Sequence, residues 1–181
     1  IFETEKGCRI GPPGLSGDPK ETTRMTNPLL ETWDTPFGVP PFARISDADF
    51  APAMEAALAE GRAAVAAIAE NPEVPTFANT IAALELADQL LDRVAGVFYN
   101  LSGADANPAR DALQRDFAPM LSAYSSEITN NAALFARIDD LWQRRDDLGL
   151  SDEEMRVLTL THRSFVRSGA ALEGAARERL T

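Results

Sequence analysis

The chain has 181 residues with 45% hydrophobic and 25% charged side chains, enough for one domain with a core or one lobe of something larger, and unlike a disordered or membrane chain. With 28 acidic against 17 basic residues and a net charge of −11, it is no partner for nucleic acid, because polyphosphate binding needs cationic side chains to displace counterions. Its apolar runs fall below the roughly 18 residues that suggest a membrane span, its single cysteine, Cys8, fits a reducing cytoplasmic compartment, and its single histidine removes most His-dependent hydrolytic constellations.

Residues 1–24 hold Pro12, Pro13, Gly14, Gly17 and Pro19 without apolar periodicity, which predicts an unstructured leader or artefact ahead of a natural start at Met25. Residues 25–45 contain Pro28, Pro36, Pro40 and Pro41, which forbid a long helix and predict an extended arm. Its Leu29, Leu30, Trp33, Phe37, Val39 and Phe42 are too apolar for a solvated tail, so its aromatics are expected in surface grooves of the helical body, residues 46–181. The alternative is substrate contact by Trp33 or Phe37. Ser46 and Asp49 form an acidic variant of the capping box, followed by a helical stripe of Phe50, Met54, Leu58, Val65 and Ile68 up to Glu70. Ala56, Ala57, Ala63, Ala64, Ala66 and Ala67 let neighbouring helices approach this one closely.

Pro72 and Pro75 then turn the chain, and Thr76 is placed to cap a long helix through residues 77–101. Phe77, Ile81, Leu84, Ala87, Leu91, Val94, Phe98 and Leu101 make its stripe; Leu86, Leu90 and Val97 widen it, and Glu85, Asp88, Gln89, Asp92, Arg93 and Asn100 are expected in solvent. Asn107 and Pro108 open the next helix, with Leu113, Phe117, Met120, Tyr124 and Ile128 inward and Pro119 expected to kink it. Asn130 or Asn131 caps a shorter one carrying Leu134, Phe135, Ile138, Leu141 and Trp142, with Arg144 and Arg145 at its negative end and Gly149 as its break. Ser151 and Glu154 form a full capping box ahead of Met155, Leu158, His162 and Phe165. Gly169 and Gly174 interrupt, and residues 175–181 begin another helical pattern. No stretch alternates convincingly, so the fold class is all-α.

His162 is the one residue that invites a catalytic reading. A metal helix of the HExxH kind needs a second His one turn on and a Glu beside the first, whereas Val166 and Arg163 stand there, so a packed histidine with one locally bonded ring nitrogen is expected. The runs Asp139-Asp140, Asp146-Asp147 and Asp152-Glu153-Glu154 lie at helix ends without the alternation of a calcium loop, and read as caps and solvated faces. Ser102-Gly103 follows no strand and makes neither a nucleophile elbow nor a phosphate loop. No catalytic, cofactor-binding or metal-binding residue is expected in this chain.

Four separated segments, MTNPLLETW, ENPEVPTFANTIAALE, LFARIDDLWQRRDDLGL and THRSFVRSGAAL, resemble in order the N-terminal helical part of the thimet oligopeptidase and neurolysin type of zinc metallopeptidases. The bacterial peptidyl-dipeptidase branch stands ahead of oligopeptidase A in this resemblance. It implies the N-terminal helical lobe of a larger, two-lobed helical protein around a deep channel, with zinc on an HExxH helix far downstream. It further implies release of C-terminal dipeptides from short unstructured peptides, with these helices walling the channel against folded proteins. No family metal or catalytic residue carries over onto a position here. The expectation is an inert fragment whose zinc and catalytic C-terminal region belong to the parent protein. The rival from another class is a free-standing acidic helical module that binds a protein partner.

Overall fold

The computed structural model describes residues 26–172, and the leader with Cys8 and Met25, as well as Gly174 and the expected helix at 175–181, lie outside them. The axis of the fold is α1 (Asp47–Ala69). Its start is fixed by Ser46, whose backbone N–H and hydroxyl both donate to the Asp49 carboxylate at 2.7 Å. Two acidic residues in the first turn, Asp47 and Asp49, also suit the positive end of the helix dipole. Its buried face, Phe50, Ala53, Met54, Ala57, Leu58, Gly61, Val65 and Ile68, runs the full length of the helix.

That face serves two apolar cores. The first joins the front half of α1 to Leu91, Val94, Val97 and Phe98 of α3 (Gln89–Ala104) and to Phe117 and Tyr124 of α4 (Pro108–Thr129). Phe98 lies at its centre, edge-on to Phe50 at 5.1 Å and to Phe117 at 4.9 Å. The second core joins Val65 and Ile68 to Leu134, Ile138 and Leu141 of α5 (Ala132–Gln143) and to Leu158 and Phe165 of α6 (Asp152–Arg167). Among the described residues there is no strand, and the chain is all-α.

The long helix expected over residues 77–101 is broken. A π-helical stretch, Phe77–Ala82, leads into the single turn α2 (Ala83–Leu86), and α3 starts afresh after Ala87 and Asp88. Ile81 and Ala87 belong to the second core whereas Leu91 and Val94 belong to the first, so one straight rod would have to present its stripe to two separate bodies. The Ala87 N–H bonds back three residues to Leu84 at 3.1 Å, which tightens the turn at the crossing. Two side-chain placements change with it: Leu86 is 60% exposed instead of widening the stripe, and Asp88 is half-buried instead of solvated.

The arm is pinned at its first turn. Asn27 Nδ2 donates to the Asp49 carbonyl at 2.7 Å while its Oδ1 accepts the Leu29 N–H at 3.0 Å, and Leu29 is thereby driven into the first core. Trp33 packs on the same core, donates from Nε1 to the Pro28 carbonyl at 2.8 Å and carries the Arg93 guanidinium over its ring at 5.2 Å. The expected groove-binding of the other aromatics does not occur. Phe37 stands wholly in solvent and Phe42 is exposed, because the turns at Pro36–Gly38 and Phe42–Arg44 point them away from the helices.

The remaining boundaries follow local chemistry. Asn107 accepts the Arg110 N–H at 2.9 Å and Asn131, rather than Asn130, accepts the Leu134 N–H at 3.0 Å. Glu154 and Ser151 exchange bonds at 2.8 and 3.3 Å, and those bonds from Ser151 hold the Glu154 carboxyl below its usual range. Gly149 has φ 63°, the left-handed turn between the last turn at Arg145–Asp147 and α6. The helix α4 continues through Pro119, which is exposed.

Candidate functional site

The densest polar constellation surrounds Arg137. On α5 it occupies a core position between Leu134 and Leu141, and its guanidinium reaches across to the proline-flanked loop. Nη1 donates to the carbonyls of Asn71 at 2.7 Å and Glu73 at 3.0 Å; Nη2 donates to Asn79 Oδ1 at 3.0 Å and Thr80 Oγ1 at 3.3 Å. Every one of these acceptors is neutral. Arg144, one helix end further on, adds a bond from Nη2 to the Pro75 carbonyl at 3.1 Å and pairs with Asp140. The loop is thus clamped by two arginines, and Thr76 and Asn79 close it with reciprocal caps at 3.1 and 2.8 Å. The constellation positions a loop.

A second node joins α1, α4 and the helix break. Tyr124 donates its hydroxyl to Asp88, and burial first, then that carboxylate, push its phenol above the usual range. Arg62 lies over the Tyr124 ring at 5.5 Å and binds Glu127 through Nε at 2.6 Å. Beside it a cleft of about 160 Å³, lined by Arg62, Val65, Ala66, Tyr124, Glu127, Ile128 and Asn131, is smaller than the roughly 300 Å³ at which ligand pockets begin.

His162 is packed. Its ring stacks on Trp142 at 4.8 Å and on Phe135 at 5.9 Å, and Nε2 bonds Asp139 Oδ1 at 3.0 Å. The carboxylate runs are dispersed among separate tasks: Asp139 takes His162, Asp140 takes Arg144, and Glu154 caps α6. Ser102 donates to the Phe98 carbonyl at 2.9 Å, within its own helix. Among the described residues no three His, Cys, Asp or Glu side chains gather as a metal site. Among the described residues the donor set does not fit a zinc ion, since the one imidazole is sandwiched between rings and held by one carboxylate. Among the described residues no helix is long and apolar enough to cross a membrane.

Residue-by-residue reading overlooked Arg137 and Gly61 and placed Asp88 in solvent. Both overlooked residues left a trace: an arginine at a core spacing between Leu134, Ile138 and Leu141, and a glycine on the buried face of an alanine-rich helix.

The chain is similar to bacterial peptidases. It is 40% identical over 155 residues to the dipeptidyl carboxypeptidase of Salmonella typhimurium and 39% identical over 154 residues to that of Escherichia coli. Oligopeptidase A of Salmonella typhimurium follows at 28% over 155 residues. These matches take in 85–86% of this chain, which spans 22–23% of the length of the relatives. The order of resemblance expected from the four segments is the order found. No family model matches the chain.

Proposed function

We propose that these residues are the N-terminal helical lobe of a zinc-dependent peptidyl-dipeptidase, residues 25–45 its arm and 46–181 its truncated helical body. The lobe walls a channel that admits short unstructured peptides and keeps folded proteins out. The parent enzyme, cytoplasmic, releases C-terminal dipeptides with zinc held by residues downstream, and this chain alone neither binds the metal nor turns over substrate. The observation that carries the reading is the 40% identity to a dipeptidyl carboxypeptidase over 86% of the chain. The braced, two-core helical body supports it, since a wall that excludes by size must be stiff.

The experiment is a zinc determination and a dipeptide-release assay on the 181-residue chain and on its full-length parent. Stoichiometric zinc and release of dipeptides by the parent, with neither in the chain, are expected. Turnover by the chain alone, or a parent that releases no dipeptides, would overturn the proposal.

A further inference from the structure

The arm spends conformational freedom on a feature that residues 26–172 do not use. Phe37 has φ 60° and ψ 15°, the left-handed region that a bulky residue rarely enters, and its side chain is 103% exposed. Both facts are unfavourable, and the neighbouring apolar residues show that they were avoidable: Leu29 and Trp33 on the same arm pack into the first core. The turn around Phe37 is nonetheless firmly built. The Gly38 N–H donates to the Thr35 carbonyl at 3.0 Å, the Val39 N–H to that of Pro36 at 3.4 Å, and the Thr35 hydroxyl to that of Val39. Pro36 before it and Pro40 and Pro41 after it remove backbone freedom. Val39 and Phe42, 47% and 44% exposed, stand on the same turn region.

We propose that the Phe37 turn is a preformed docking knob whose ring enters an apolar pocket on the portion of the parent peptidase outside these residues. This rests on the reading that the chain is part of such a peptidase. Two observations favour that occupant. The chain spans 23% of the length of its dipeptidyl carboxypeptidase relatives, so most of such a protein is available to cover the ring. A second copy is disfavoured because two chains of net charge −11 repel each other. A rigid turn that already presents its aromatic loses little freedom on docking, which is how a single ring can anchor two bodies.

Hydroxyl-radical footprinting read by mass spectrometry, on the 181-residue chain and on the full-length parent, tests this. Phe37 is expected to be oxidised in the chain and protected in the parent. Phe37→Asn removes the ring while tolerating the left-handed backbone, so it should leave the melting temperature of the chain unchanged or raised and lower that of the parent. Equal labelling in both proteins, or protection already present in the chain, overturns the proposal. So does concentration-dependent association of the chain that Phe37→Asn abolishes, since the occupant is then a second copy. Dipeptide release by the wild-type parent, measured on the same preparation, separates the two claims. An active parent with a labelled Phe37 refutes the docking alone, and an inactive parent with a protected Phe37 refutes the peptidase assignment alone.

Discussion

The Tyr124 hydroxyl meets the Asp88 carboxylate directly over Gly61, at the point where α1 passes from one core to the other. A methyl group at Gly61 would overlap that hydroxyl and come within 2.8 Å of Asp88 Oδ1. Helix propensity favours alanine there by about 1 kcal/mol, but overpacking of a buried contact costs about 1–3 kcal/mol and should win. Gly61→Ala is therefore expected to lower stability in urea titration, and Tyr124→Phe on top of it to recover part of the loss. A stabilised Gly61→Ala variant would show that the node is loosely packed.

Stability should fall at both ends of the pH scale, through named groups. Burial acts to raise the Asp47 carboxyl, but bonds from Arg110 at 2.7 Å and Asn107 at 3.0 Å outweigh it and hold the group below its ordinary 3.8. A carboxyl depressed in the folded state stabilises above its unfolded value, and the contribution disappears as pH falls below 3.8. Tyr124 is shifted upward, so its contribution is complete below its ordinary 10.0 and is lost as pH rises beyond it. Asp47→Asn should reduce the acid limb, part of which also rests on Glu154, and Tyr124→Phe should flatten the alkaline limb, in melting curves recorded across pH.

Arg137→Ala strips the donor from the Asn71 and Glu73 carbonyls, whereas Asn79 Oδ1 keeps the Thr76 N–H and the Thr80 hydroxyl. With roughly 1–3 kcal/mol for each buried group left unsatisfied, and water able to enter near the loop, a loss of about 2–4 kcal/mol is expected. Arg137→Lys should rescue little, because one ammonium lacks the planar fork that reaches four acceptors. Amide exchange should quicken in residues 71–76 and much less in α3; uniform quickening would point to global unfolding instead.

Phe98→Ala removes a ring that is 0% exposed and edge-on to Phe50, Tyr99 and Phe117. The expected loss is about 3–5 kcal/mol, read from the denaturation midpoint. A change below about 1 kcal/mol would mean that the first core is not centred on this ring.

The helices, their caps and most of their buried stripes were readable from spacing alone, since Thr76, Asn107, Asn131 and Ser151 bond neighbours three residues away and Phe50, Met54 and Leu58 share a face by periodicity. Such interactions are local, so the order of residues determines them. His162 was also readable as packed, from its apolar neighbours at helical spacing. What only the tertiary structure decided involves partners far apart in the chain. The break at Ala87 and Asp88 exists because two cores compete for one stripe, and the exposure of Phe37 depends on which way a rigid turn leaves the body. The clamp from Arg137 spans 57–66 residues, and periodicity carries no information about a hydrogen bond made at that separation.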